Sequence, residues 1–202
     1  MKKFLVIALV LLSTFSLCAR EGKGNILLSS GPSFTATYSV KDHSSVESFG
    51  IDTGVEFQLG DSSHLMLILD LNLGYPCMQD FEFFDYNTSN SLVLNTDCFV
   101  GLGFNTGFDR RTSFTLGAGP YINSINVSNG ADPYFSISLG FEVYAAAKVF
   151  ITDHWYLGSA LRSGMTGMDL VGISFFKKND EIRPIAANSF AITGRISGGY
   201  MF

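Results

Sequence analysis

Charged side chains are scarce in this chain, and its interior has no long apolar run. Only 15% of its 202 residues are charged, whereas 47% are hydrophobic. Soluble proteins carry about 25% charged residues. After the N-terminal region no stretch has the roughly 18 apolar residues that a membrane helix needs. The 21 glycines and 19 phenylalanines are spread through short segments instead. Length and composition therefore predict a single domain rich in β-strands.

Cysteine is also rare, with three residues in the whole chain. Cys77 is predicted to lie in a loop and Cys98 in the middle of a strand, so a disulfide between them is not expected. There is no CxxC spacing and no cluster of metal-ligating residues. The sequence therefore predicts neither a bound metal nor a cofactor.

The three histidines argue against hydrolytic catalysis. His43 falls in a predicted outer loop, and His64 and His154 fall in predicted turns. None shares a strand with a serine and an acid, as a Ser-His-Asp site would require. A catalytic role for His43, which follows Asp42 and precedes Ser44, is the enzymatic alternative that stays open. The chain is predicted not to be an enzyme.

The first 19 residues have the layout of a secretory signal peptide. Lys2 and Lys3 precede an apolar core at residues 4–12, and residues 16–19 form a candidate cleavage region. Cleavage after Ala19 or Cys18 is expected, with lipidation of Cys18 as an alternative. Removal of residues 1–19 leaves 11 basic and 18 acidic residues, hence a net charge of −7. This acidic domain, residues 20–202, is not expected to bind nucleic acid.

Apolar and polar residues alternate with a period of two in eight segments of the chain, as they do in strands with one apolar face. The segments are residues 28–40, 48–59, 65–75, 92–104, 114–123, 135–145, 155–165 and 190–202. In the third, leucine or tyrosine occupies every second position: Leu65, Leu67, Leu69, Leu71, Leu73 and Tyr75. The pattern predicts an all-β fold, an eight-stranded antiparallel up-and-down transmembrane β-barrel.

The two faces of these strands indicate which side meets lipid. The polar face consists mainly of Gly, Ser, Thr and Asn and has few lysines, whereas the apolar face is bulky and continuous. Small polar residues suit a narrow lumen, and large aliphatic residues suit a lipid surface. Aromatic residues gather near both ends of the apolar face, as at two membrane interfaces. A soluble barrel with an apolar interior remains the alternative.

The connections between strands alternate in length, as in outer-membrane barrels. Short periplasmic turns are predicted at residues 60–63, 106–111 and 151–153. Outer loops are predicted at residues 41–47, 76–90, 126–133 and 166–184. The aromatic sequences at 80–86 and 174–178 are candidate contacts for a surface ligand. Anchoring at the lipid surface explains them equally well.

Eight charged residues fall on the predicted lumen face. Counted from the periplasmic strand ends, six of them come to nearly the same level. This predicted charge belt comprises Asp52, Asp70, Asp97, Glu142, Arg162 and Arg195. Glu56 and Lys148 are further lumen charges. Charges in a narrow lumen must be paired or hydrated, so acids and arginines are expected to pair as a plug. A gated conduit is the alternative.

The last strand resembles the C-terminal assembly signal of bacterial outer-membrane barrels. Phe202 ends the chain, and Tyr200 and Ile196 precede it at alternating positions, although Gly198 and Gly194 stand where larger apolar residues are usual. Across residues 20–202 the pattern is similar to the small OmpA/OmpX and OmpW-like barrels. The resemblance implies insertion into the lipid of a bacterial outer membrane by the outer-membrane assembly machinery.

Two functions fit this resemblance. The first is a structural, surface-exposed barrel whose outer loops are available to partners. The second is a narrow channel for small or apolar solutes. Eight strands leave an interior just wide enough for side chains, so free diffusion of large solutes is not expected. Between the two functions the sequence decides little.

Overall fold

The computed structural model describes residues 25–39, 45–59, 64–80, 92–106, 111–128, 134–174 and 189–202. They form eight strands in chain order: β1 (Ile26–Ser39), β2 (Ser45–Gln58), β3 (Leu65–Asp80), β4 (Leu92–Asn105), β5 (Thr112–Ser128), β6 (Tyr134–Phe150), β7 (Trp155–Ser174) and β8 (Ser189–Met201). Each strand pairs antiparallel with the next, and β8 pairs with β1. The protein is therefore a closed, eight-stranded, up-and-down all-β barrel, as the alternation predicts.

The period-two pattern sets which side chains face outward. Bulky apolar residues cover the outside of the barrel; Ile51, Leu116 and Ile196, for example, are 62%, 64% and 72% exposed. Their sequence neighbours turn inward and are buried or half-buried. A one-residue slip in register would exchange the two faces on a strand, so the register is strongly specified. The surface is thus apolar and the interior largely polar, the reverse of a soluble β-protein.

The interior also holds a small apolar cluster. It comprises Leu27, Met66, Ile68, Phe99, Tyr121, Tyr144, Ala146 and Tyr156. Phe99 stacks on Tyr144 with ring centroids 5.9 Å apart. Several inward aromatic rings lie against inward glycines; a Cβ atom at Gly199, for instance, would overlap the ring of Tyr156. Glycine makes room for these rings, so large side chains fit inside a ring of only eight strands.

The strand ends nearest the two chain termini are closed by short connections, as predicted. Between β6 and β7, Thr152 Oγ1 accepts a hydrogen bond of 2.9 Å from the Trp155 backbone N–H. The Phe202 N–H donates to the Ile26 carbonyl over 2.9 Å, which fastens the end of the chain to the start of β1. We call this end of the barrel the turn end and the opposite end the loop end. In the part of the chain described, no helix is long and apolar enough to span a membrane.

The strands extend further towards the loop end than the sequence indicates. Strand β2 begins at Ser45, β3 continues to Asp80, β5 to Ser128 and β7 to Ser174. The predicted limits of all four outer loops are therefore wrong at one or both ends, and Cys77 lies in strand β3, not in a loop. Backbone pairing does not require an apolar face, so the ladder continues after the alternation fades.

Candidate functional site: the ion cluster in the lumen

The six residues of the predicted charge belt meet in the middle of the lumen. Each comes from a different strand: Asp52 from β2, Asp70 from β3, Asp97 from β4, Glu142 from β6, Arg162 from β7 and Arg195 from β8. All six are buried, none more than 5% exposed. We call these six residues the ion cluster. The period-two alternation turns each side chain inward, and the stagger of the strands brings them together.

Arg162 is at the centre of the ion cluster and contacts all four of its acids. Its Nη2 lies 2.5 Å from Asp97 Oδ1 and 3.2 Å from Asp52 Oδ2. Its Nη1 lies 3.3 Å from Glu142 Oε2, and its Nε lies 3.5 Å from Asp70 Oδ1. A planar guanidinium offers five N–H donors in fixed directions, so one arginine can hold carboxylates from several strands at once.

Arg195 joins two of the same acids from the other side. Its Nη1 lies 2.6 Å from Asp52 Oδ1 and 2.9 Å from Asp70 Oδ2. Asp52 and Asp70 are therefore each shared between the two arginines. The ion cluster connects β2, β3, β4, β6, β7 and β8 across the lumen, in addition to the backbone ladder around its circumference.

The two further lumen charges form a separate pair nearer the turn end. Lys148 Nζ lies 2.7 Å from Glu56 Oε2. The same carboxylate accepts hydrogen bonds from Tyr144 Oη over 2.8 Å and from Thr115 Oγ1 over 3.0 Å. Arg195 Nη2, 3.5 Å from the oxygen of Tyr144, links this pair to the ion cluster. The structure does not bring Glu56 and Lys148 into the ion cluster itself.

Two residues in this network carry no signal in the sequence beyond their place in the alternation. Asn72 Nδ2 donates to Asp97 Oδ2 over 3.0 Å and to Thr35 Oγ1 over 2.7 Å. Tyr144 connects Glu56 to Arg195, as described above. The alternation puts both on the lumen face, but neither carries a charge to draw attention to it. Their roles follow only from the distances between strands.

The ion cluster fills the middle of the described part of the lumen. A small cavity of about 10 Å³ lies beside it, lined in part by Ser29, Tyr144, Lys148 and Arg195. This is about the smallest space that holds one water molecule. Among the described residues, no group of three or more His, Cys, Asp or Glu is arranged to hold a metal ion. Chemically, the site can pair charges and cross-link strands.

The residues of the suggested assembly signal lie on the outside of β8, at the turn end. Ile196 and Phe202 are exposed, and Tyr200 is half-buried. The Tyr200 ring contacts Trp155 and Phe202, with centroids 5.0 Å and 4.8 Å away. This edge-on aromatic group lies where an aromatic belt would meet a membrane interface.

Several other candidate residues lie outside the described residues. They are the signal peptide at 1–19, His43 with its neighbours, and most of the aromatic sequences of the second and fourth outer loops. His64 and His154 lie exposed at the turn end, as predicted. His154 Nδ1 is 3.0 Å from the Met201 carbonyl oxygen.

The barrel is similar to several solved structures. Neisserial surface protein A matches with a TM-score of 0.59 and 14% identity, over 87% of this chain and 95% of that one. The chain has the fold of the small eight-stranded outer-membrane barrels. The attachment invasion locus protein Ail of Yersinia pestis matches this barrel at a TM-score of 0.58 and 9% identity, over 89% and 99% of the two chains.

A third match is a major outer membrane protein from Thermus thermophilus, with a TM-score of 0.55 and 11% identity, over 88% of this barrel and 99% of that chain. No protein-family model matches the barrel, and no curated protein matches it by sequence. At these identities the likeness establishes the fold. Function has to be argued from the site.

Proposed function

We propose that this chain is a non-enzymatic integral protein of a bacterial outer membrane, a rigid barrel whose plugged lumen supports surface-exposed outer loops. The observation that carries the proposal is the inverted distribution of polarity. Bulky apolar side chains cover the outside of a closed sheet, and eight charged side chains are buried inside it: Asp52, Glu56, Asp70, Asp97, Glu142, Lys148, Arg162 and Arg195. Such a surface is stable in lipid and aggregates in water.

The ion cluster supports a role as a plug. Its six members are at most 5% exposed, and their contacts span the lumen from β2–β4 to β6–β8. For a solute to pass, these ion pairs would have to separate inside a narrow, weakly hydrated space, which is costly. The narrow-channel alternative would require that separation, so we favour a closed barrel.

The partners follow from this role. The apolar outside fits outer-membrane lipid, and the aromatic C-terminal strand with Ile196, Tyr200 and Phe202 fits the outer-membrane assembly machinery. The loops at the other end remain available to a surface ligand. The names of two similar proteins, Neisserial surface protein A and the attachment invasion locus protein Ail, refer to a surface and to attachment, which suits this orientation.

Expression of the full chain in a Gram-negative host tests location and orientation. We expect the protein in the outer-membrane fraction, migrating differently on a gel with and without boiling, because folded barrels resist the detergent when cold. An epitope inserted in the fourth outer loop, near residue 178, should bind antibody on intact cells. A protein that purifies without detergent, or an epitope reached only after cell disruption, would contradict the proposal.

Bilayer recordings of the purified barrel separate the plug from the channel. We expect no unitary conductance from the wild-type protein and none from Glu142→Gln, which keeps the shape of the side chain. A reproducible wild-type conductance that changes in Glu142→Gln would favour the channel instead. Arg111→Gln, an exposed residue at the turn end, is the matched control for a charge change outside the lumen.

A further inference from the structure

Two aspartates of the ion cluster are in direct contact. Asp52 on β2 lies opposite Asn72 on β3, and Asp70 lies two residues before Asn72. The two aspartates are therefore diagonal neighbours on the lumen face. Their carboxyl groups lie within hydrogen-bond reach of each other. Gly54, opposite Asp70, leaves the space for this contact, because a Cβ atom there would lie 2.8 Å from Asp70 Oδ2. We call Asp52 and Asp70 the aspartate pair.

The two arginines of the ion cluster bond the two aspartates unequally. Asp52 Oδ1 accepts a hydrogen bond of 2.6 Å from Arg195 Nη1, and Asp52 Oδ2 accepts one of 3.2 Å from Arg162 Nη2. Asp70 has ion-pair contacts with the same arginines, 2.9 Å from Arg195 Nη1 and 3.5 Å from Arg162 Nε. Among the described residues, however, no N–H or O–H group donates a hydrogen bond to either Asp70 oxygen. The surroundings therefore favour the ionised form at Asp52 more than at Asp70.

The charges of the ion cluster do not balance. Its four acids and two arginines would have a net charge of −2 if every acid were ionised, and none of the six is more than 5% exposed. Strands β1 and β5 carry no charged residue, and Lys148 already pairs with Glu56. A buried acid without enough compensating charge takes up a proton. The charged and titratable groups around the aspartate pair come from four other strands: Asp97 (β4), Glu142 and Tyr144 (β6), Arg162 (β7) and Arg195 (β8).

We propose that Asp70 is protonated at neutral pH and donates a hydrogen bond to the Asp52 carboxylate, so that the ion cluster binds one proton as part of its structure. Two ionised carboxylates cannot hydrogen-bond to each other, because both only accept, whereas a carboxylic acid supplies a donor. Two carboxyl groups that share a buried site usually hold one proton between them. The proton gives Asp70 a partner and reduces the uncompensated negative charge in the lumen.

This proton makes the stability of the barrel depend on pH. In the unfolded chain Asp70 is ionised at neutral pH, as an exposed aspartate is. The folded barrel then binds one proton more than the unfolded chain. Stability rises as the pH falls wherever the folded state binds more protons. The ion cluster should therefore hold the strands together more firmly in mildly acidic than in alkaline solution.

Infrared spectroscopy of the purified protein tests the proton, in a detergent that has no ester or carboxyl group. Asp70→Asn is the informative variant, because its neutral amide can donate to Asp52 as the acid does. The wild-type minus Asp70→Asn difference spectrum should show the C=O band of a protonated carboxyl group, shifted in heavy water. Asp97→Asn, the same change elsewhere in the ion cluster, should remove carboxylate bands instead. Carboxylate bands in the Asp70→Asn difference would overturn the proposal, as would a protonated band lost with Asp97 rather than Asp70.

The urea midpoint at several pH values provides a second measurement. When the pH is lowered from about 9 to about 6, the midpoint of the wild type should rise more than that of Asp70→Asn, which has no proton to gain at this position. Equal rises, or failure of Asp70→Asn to fold, would also overturn the proposal. Neither measurement depends on where the protein lies in the cell. A misplaced loop epitope would therefore count against the proposed function alone.

Discussion

Arg162 compensates more of the buried acidic charge than Arg195 does. It contacts Asp52, Asp70, Asp97 and Glu142, whereas Arg195 contacts only the first two of these acids. A buried ion pair adds little stability compared with an apolar pair, but removal of one partner leaves an uncompensated charge. The two arginines should therefore differ in how much the barrel tolerates their loss.

Substitution of Arg162 should destabilise the barrel severely. We expect Arg162→Met to lower the free energy of unfolding by about 3–5 kcal/mol, the usual cost of breaking a buried ion pair. Arg195→Met should cost less, because Arg162 still contacts both of its acids. Urea titration in lipid vesicles, followed by the gel mobility of unboiled samples, measures the change. Arg111→Met, at the exposed turn end, is the control. Equal losses for Arg162→Met and Arg111→Met would reject the central role.

The Glu56–Lys148 pair allows a direct test of whether two buried charges stabilise each other. Lys148→Met leaves the Glu56 carboxylate with only Tyr144 and Thr115 as donors. Adding Glu56→Gln removes that buried charge, so the double variant should be more stable than Lys148→Met alone. We expect a coupling energy of about 1–3 kcal/mol from the four-protein cycle. Additive effects of the two substitutions would show that the two charges act independently.

The lumen shows which contacts between residues can be predicted from the sequence and which cannot. Alternation alone puts Asp97 and Arg162 on the lumen face, and counting from strand ends puts them near one level. Which acid meets which arginine depends on strand stagger and side-chain reach, and these are set by the closed ring. Asn72 and Tyr144 carry no charge, so their bridging contacts could not be predicted from their residue types.

At the scale of the strand, period-two alternation predicts well that a strand exists and which way its side chains face. It predicts the length of the strand less well. All eight predicted strands are present. Their turn ends agree with the predicted short turns, because apolar residues continue to the membrane interface there. At the loop end the ladder outlasts the alternation, so the predicted boundary near Cys77 is misplaced. Backbone pairing needs no apolar face, so a hydropathy pattern cannot locate where it stops.

Adjacent glycines on β8 provide a test of how the strand packs on each face. Gly199 points inward, and an added Cβ would overlap the ring of Tyr156; Gly198 points outward, with nothing within 4 Å. We expect Gly199→Ala to lower the free energy of unfolding by about 1–3 kcal/mol through overpacking. Gly198→Ala should be neutral or slightly stabilising, because it restricts the unfolded chain. The same urea titration compares them, and a larger loss for Gly198→Ala would mean that the faces are assigned wrongly.

For the whole molecule, the lumen and the outer surface place different requirements on their side chains. The outside needs no specific contacts, since lipid chains accept any bulky apolar residue. The inside is crowded, and its charges must be matched by partners from other strands. Changes on the outside should therefore depend on depth in the membrane, whereas changes inside should depend on the identity of the lost partner.

Two valines on the outside of β6 allow a test of whether lipid surrounds the barrel. Val143 lies near the middle of the strand and Val149 near its turn end, and they are 55% and 54% exposed. A lysine at mid-membrane costs about 2–4 kcal/mol, and near an interface about 0–1 kcal/mol. We therefore expect Val143→Lys to be the more destabilising by roughly 2 kcal/mol in vesicles. In a barrel surrounded by water, two equally exposed valines should tolerate lysine equally, so equal free energies of unfolding for the two variants would exclude a transmembrane barrel.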